Sequence, residues 1–135
     1  MFHQSFPEFD LLVGESALEI FDWFNLVQFH GLDRRIIERK IKGESKGLGI
    51  HGWANYHPED TLLNRPKDKK PYLFLNEQAF QGNFRDCLLV NHEAMHLALL
   101  LFNYDIKNYE EEIITRAEFI SEQIIELLFE TSESL

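Results

Sequence analysis

The sequence predicts an α+β domain: a small mixed β-sheet packed against helices, around a central buried helix that carries the chemistry. Three observations support this. A capping-box helix opens the chain, short β-branched and aromatic runs occupy its middle, and two long helical patterns close it. The first of those patterns contains His92-Glu93-Ala94-Met95-His96, an H-E-x-x-H motif. At 135 residues, with 44% hydrophobic composition and 12 Phe, the chain is expected to fold as a single domain over residues 1–135 with a sizeable core.

Taken in order, Ser16-Ala17-Leu18-Glu19 has the capping-box pattern. Ile20, Phe21, Phe24 and Val27 follow at helical spacing, so an amphipathic helix is expected that ends near Gly31. Arg34 to Lys42 contains Ile36, Ile37 and Ile41 and reads as a strand. The turn-rich stretch Gly43 to Gly49 leads into a second strand, Leu48 to Tyr56, loosened by Gly49 and Gly52. A polar loop with Pro58, Asn64 and Pro66 precedes a third short strand, Tyr72 to Asn76. From Asn83 to Phe102 no Pro or Gly interrupts a strongly apolar run, and Asn83 or Asp86 can cap the helix. The last helix opens at Glu110-Glu111-Glu112. Its apolar stripe is Ile113, Ile114, Ala117, Ile120, Ile124, Leu127 and Leu128, and the tail Thr131 to Leu135 is expected to fray.

On a helix, residues four apart stack on one face, so His92 and His96 can share one tetrahedral zinc. Glu93 lies close enough to act on a metal-activated water as general base and to pass the proton to a leaving amine. A helix apolar on nearly every side is expected at the centre of a domain, where polar side chains need partners that a metal supplies. The bland alternative is a pair of core histidines hydrogen-bonded to backbone. Catalytic zinc has three protein ligands, and no His follows His96. On the last helix Glu111, Glu118, Glu122 and Glu126 cluster away from the apolar stripe, with Glu112 and Glu130 on a flank. Glu110 alone falls among the apolar positions, which makes it the first candidate for the third ligand and Glu111 the second. Acids in a first turn also favour the helix dipole without any metal. Tyr56, His57, Tyr104 and Tyr109 are candidate oxyanion donors. His51 and His57, each taken alone, read more readily as surface-loop histidines, and Asn91 as a residue that orients a ligand, caps or faces solvent.

Composition narrows the remaining possibilities. The net charge of −10 argues against nucleic-acid binding. The basic stretch Arg34 to Lys46 could meet an anionic partner but reads more readily as a solvated strand edge. No apolar run reaches the ~18–20 residues of a membrane span, so no membrane association is expected. The opening Met1-Phe2-His3-Gln4 lacks a basic n-region, and Cys87 is the single cysteine, within the apolar helix and expected in the core. A cytoplasmic location fits these features best.

With these residues in place, the chain resembles a minimal zincin metallopeptidase. The shared layout is an N-terminal helix, a small sheet, a helix bearing H-E-x-x-H and a later helix supplying the third ligand. The front half, with Phe29-His30-Gly31-Leu32, is loosely similar to SprT-like zincins, which use a third His. A gluzincin-like arrangement with a downstream Glu is the closer resemblance. The metzincin extension is absent, since Leu99 and Phe102 stand at its Gly and His positions. The resemblance implies a Zn2+ cofactor, a protein or peptide substrate, and substrate docking by β-augmentation on the strand nearest the active-site helix. That strand would be Gly49 to Tyr56 or Tyr72 to Asn76. Two other functions compete: a zincin-like binding module that cleaves nothing and docks partners on its acidic last helix, and a zinc hydrolase of a non-peptide amide or ester.

Overall fold

The computed structural model describes residues 1–15, 19, 23, 28–29, 32–33, 35, 52–55, 70–77 and 83–133. Strands β1 (Phe2–Ser5) and β2 (Asp10–Gly14) form an antiparallel hairpin. Its turn is closed by Phe6 N–H donating to Phe9 O at 2.9 Å, with the two rings stacked at 4.8 Å. β2 runs parallel to β6 (Tyr72–Asn76), with Leu12 opposite Phe74. β5 (Gly52–Asn55) pairs antiparallel with the other side of β6, so the sheet order is β1-β2-β6-β5. The two-residue strands β3 (Gln28–Phe29) and β4 (Leu32–Asp33) form a separate antiparallel ribbon. Helices α1 (Phe84–Leu101) and α2 (Ile106–Glu133) complete the described α+β architecture.

Strands that take part in parallel pairing are covered on both faces and read as apolar runs rather than alternating ones. Every residue of β6 is buried. Leu11, Val13, Leu73 and Leu75 share a cluster with Val90, Ala94, Leu97 and Leu100 of α1 and with Ile120 and Ile124 of α2. Each fully buried aliphatic side chain there contributes about 1.5–3 kcal/mol. At the hairpin end, Lys70 Nζ donates to Phe6 O at 2.8 Å and to Ser5 Oγ, and lies 3.2 Å from Asp10 Oδ1. His3 Nε2 is 3.2 Å from the same carboxylate oxygen. Burial pushes Asp10 up, but hydrogen bonds from His3, Lys70 and Ser5 outweigh it and hold the carboxyl below its ordinary value. An Arg116–Glu8 ion pair ties α2 to the hairpin turn.

Several expectations change. Residues 2–14 supply a hairpin that sequence patterning missed, because Leu11-Leu12-Val13 is too short and too uniformly apolar to show a period. The expected N-terminal helix is described only at Glu19 and Trp23, which are helical. It cannot reach Gly31, since Gln28 is already in a strand, paired with Asp33. Of the strand expected over 34–42, only Arg35 is described, and it is helical; the rest lies outside the described residues. The strand expected over 48–56 is present at Gly52–Asn55, and Tyr72–Asn76 is found as expected. Because β6 is paired on both sides, it has no edge to offer a peptide, leaving β5 as the candidate edge.

α1 begins with the anticipated cap, and both candidate residues take part. Asn83 Oδ1 accepts from Arg85 N–H at 2.9 Å, while Asp86 Oδ2 accepts from Asn83 N–H at 3.2 Å. The helix ends in a tight turn in which Asn103 and Tyr104 take left-handed φ values of 53° and 59°. Tyr104 N–H donates to Leu99 O at 2.8 Å, satisfying an otherwise orphan carbonyl. α2 starts at Ile106 but is broken at Tyr109 (φ −130°, ψ 25°), so regular helix resumes at Glu110, where the sequence placed it. No helix among the described residues is long and apolar enough to cross a membrane.

Candidate metal centre

α1 was expected to be buried all round; instead it buries one side. Val90, Ala94 and Leu97 face the sheet, whereas Phe84, Leu88 and Met95 are exposed together with both histidines. The reason is geometric. α1 packs on the sheet and on α2, and the arc outside those two contacts carries the exposed side chains.

The His92 side chain is 67% exposed, so the core-histidine alternative does not hold. The two imidazoles meet edge to face, centroids 4.8 Å apart, with Nε2 to Nε2 3.2 Å. Glu93, one position along, turns about 100° around the helix towards β5 and is only 7% exposed. Its Oε1 is 4.0 Å from His92 Nε2. Burial raises the Glu93 carboxyl above its ordinary value, and the attraction of His96 and His92 offsets only part of that rise. The argument that buried polar groups need partners therefore applies to Glu93, not to the histidines.

Two nitrogens bound tetrahedrally to one zinc at about 2.0–2.1 Å lie about 3.3 Å apart. The observed 3.2 Å between His92 and His96 fits that donor pair without moving α1. The third position differs from expectation. Among the described residues no group of three or more His, Cys, Asp or Glu side chains is placed to hold a metal ion, so no third ligand joins the pair. Glu110 and Glu111 are both solvent-exposed on α2. The helical wheel puts Glu110 on the apolar face, but that face is buried only from Ile113 onwards. A wheel gives direction, not coverage. The structure thus brings together His92, Glu93 and His96, and does not bring Glu110 to them.

The other candidates disperse. Tyr104 and Tyr109 are exposed, with the Tyr109 ring 5.5 Å from that of Phe102. Asn91 is exposed and Cys87 half-buried. His51, Tyr56 and His57 lie outside the described residues. Sequence reasoning also passed over two features. Phe84, Leu88 and Met95 form an exposed apolar line beside His92, legible in the i, i+4 and i+11 spacing. Gly52 contacts Glu93, a tertiary proximity with no sequence signal. Neither a protein-family model, a curated protein nor a solved structure matches this chain.

Proposed function

We propose that this chain is a zinc-dependent metallopeptidase of zincin type. The observation that carries the reading is the pair of exposed Nε2 atoms 3.2 Å apart with a buried carboxylate 4.0 Å away. His92 and His96 would hold the metal; the third ligand, which the described arrangement does not bring to them, would come first from Glu110 and next from Glu111, at the exposed start of α2. Zinc, when bound, supplies a Lewis acid that polarises a carbonyl and acidifies water.

The chain's own residues do the rest. Glu93 takes a proton from the attacking water and delivers it to the leaving amine. Its burial favours this role, because a carboxyl held above its ordinary value is a stronger base towards the attacking water. The His pair is open to solvent, so a peptide can reach it. Among the described residues β5 pairs on one side only, and its other edge offers main-chain groups to an extended peptide. A silent binding module has no use for a buried carboxylate beside its metal ligands, so hydrolysis is the better reading.

The test is metal content by mass spectrometry on chelator-free protein, beside His96→Ala and Glu110→Ala. The expected result is about one zinc per chain, lost in His96→Ala, with peptide cleavage abolished in Glu93→Gln while zinc is retained. Zinc retained undiminished in Glu110→Ala moves the third ligand to Glu111 or elsewhere. Absence of metal from the wild type after zinc is added back rejects the enzyme reading.

A further inference from the structure

We propose that Gly52 is a positioning residue that aims the Glu93 carboxylate, so that the edge strand β5 and the general base act as one unit. The inference rests on the peptidase reading and adds a residue to it. A Cβ built on Gly52 would lie 2.4 Å from Glu93 Cγ, 2.6 Å from Cδ and 2.8 Å from Oε1. All three separations are shorter than real Cβ contacts. The oxygen that Cβ would strike, Oε1, is the same atom that stands 4.0 Å from His92 Nε2.

The physical consequence follows from rigidity on both sides. Gly52 is held opposite Leu75 by the ladder to β6, and Leu75 is fully buried. Glu93 is held between Val90, Ala94 and Leu97, whose contacts with the sheet fix the α1 backbone. Neither backbone can retreat cheaply from an added methyl, so the mobile part of the contact, the Glu93 carboxylate, must swing. Glycine is therefore needed here for close approach rather than for an unusual backbone. With glycine the strand leaves room for the carboxylate to lie with Oε1 facing His92. With alanine Oε1 is displaced from that position. Displacement of a catalytic group by about 1 Å costs on the order of 100-fold in rate.

The experiment is a mutant cycle read in two ways. Gly52→Ala is made in the wild type and in Glu93→Gln, Glu93→Ala and Glu93→Asp backgrounds, and thermal midpoints, zinc content, kcat and KM are measured. Gln keeps the shape of Glu, so Gly52→Ala is expected to lower the midpoint by about 5 °C in both of those backgrounds. The fall should largely disappear in Glu93→Ala, even if the single variant is too unstable to purify and only the double variant folds. In zinc-loaded protein, Gly52→Ala should keep one metal per chain and a KM within a few-fold, with kcat down about 100-fold. Because Asp withdraws the carboxylate by one methylene, Gly52→Ala should cost less kcat in Glu93→Asp than in the wild type. An equal fall in midpoint in Glu93→Ala overturns the contact, and an unchanged kcat in an active enzyme overturns the positioning role. A wild type with neither zinc nor activity instead removes the peptidase reading, and the catalytic role of Gly52 with it.

Discussion

Replacing Glu93 by Gln should stabilise the metal-free protein while removing its chemistry. Glu93 is 7% exposed, and among the described residues His92 lies 4.0 Å from its carboxylate. Burial outweighs the attraction of His96 and His92, so little of the cost of desolvating the carboxylate is returned. Gln has the same shape without the charge, and removing such a functional burden typically gains about 1 kcal/mol. Unfolding entropy near 2.1 cal/mol/K per residue gives roughly 0.28 kcal/mol/K for 135 residues, so the gain reads as about 3–4 °C. The pH dependence has a definite sign. The folded-state carboxyl is raised above its ordinary value of 4.5 by burial, so the folded protein holds that proton more tightly than the unfolded chain does. The wild-type penalty is absent below the unfolded value, grows as pH rises towards the folded one, and is complete above it. The assay is calorimetry or thermal scanning of both proteins in chelator at pH 4 and pH 8. A gain at pH 8 that vanishes at pH 4 is expected. A lower midpoint for Glu93→Gln at pH 8, or a gain that grows on acidification, refutes the claim that this carboxylate is penalised by burial.

Asp10→Asn tests the hairpin clasp, and its sign is opposite. The Asp10 carboxyl is held below its ordinary 3.8, so its contribution is present above that value and lost as pH falls through the folded one. Denaturant titration at pH 7 should show a loss of about 1 kcal/mol, discounted for the solvent reaching Lys70, and no difference near pH 2. Leu97→Ala removes a fully buried side chain from the layer joining α1 to the sheet. A loss of about 2–5 kcal/mol and a midpoint drop of roughly 10 °C are expected by thermal unfolding. A drop below about 3 °C would mean that α1 is not anchored there.

The sequence by itself determined the elements whose signals are local. Tyr72–Asn76, the Asn83–Asp86 cap, the extent of α1 and the stripe from Ile113 to Ile124 depend on spacing within one segment, and spacing is what a sequence displays. The juxtaposition of His92 and His96 is of the same kind, because four residues of helix bring the imidazoles together without help from the rest of the fold. Tertiary structure decided what coverage and pairing decide. Leu11-Leu12-Val13 becomes an inner strand only because β6 lies parallel to it, a pairing between residues some sixty positions apart. Periodicity could place Glu110 on the apolar face of α2, but not show that burial starts a turn later. It could place His92 and His96 on one face of α1, but not show that this face is open while Glu93 is enclosed. The contact between Gly52 and Glu93 was invisible for the same reason: it exists only once β5 is laid against α1, and a helical wheel or a strand alternation describes one element at a time.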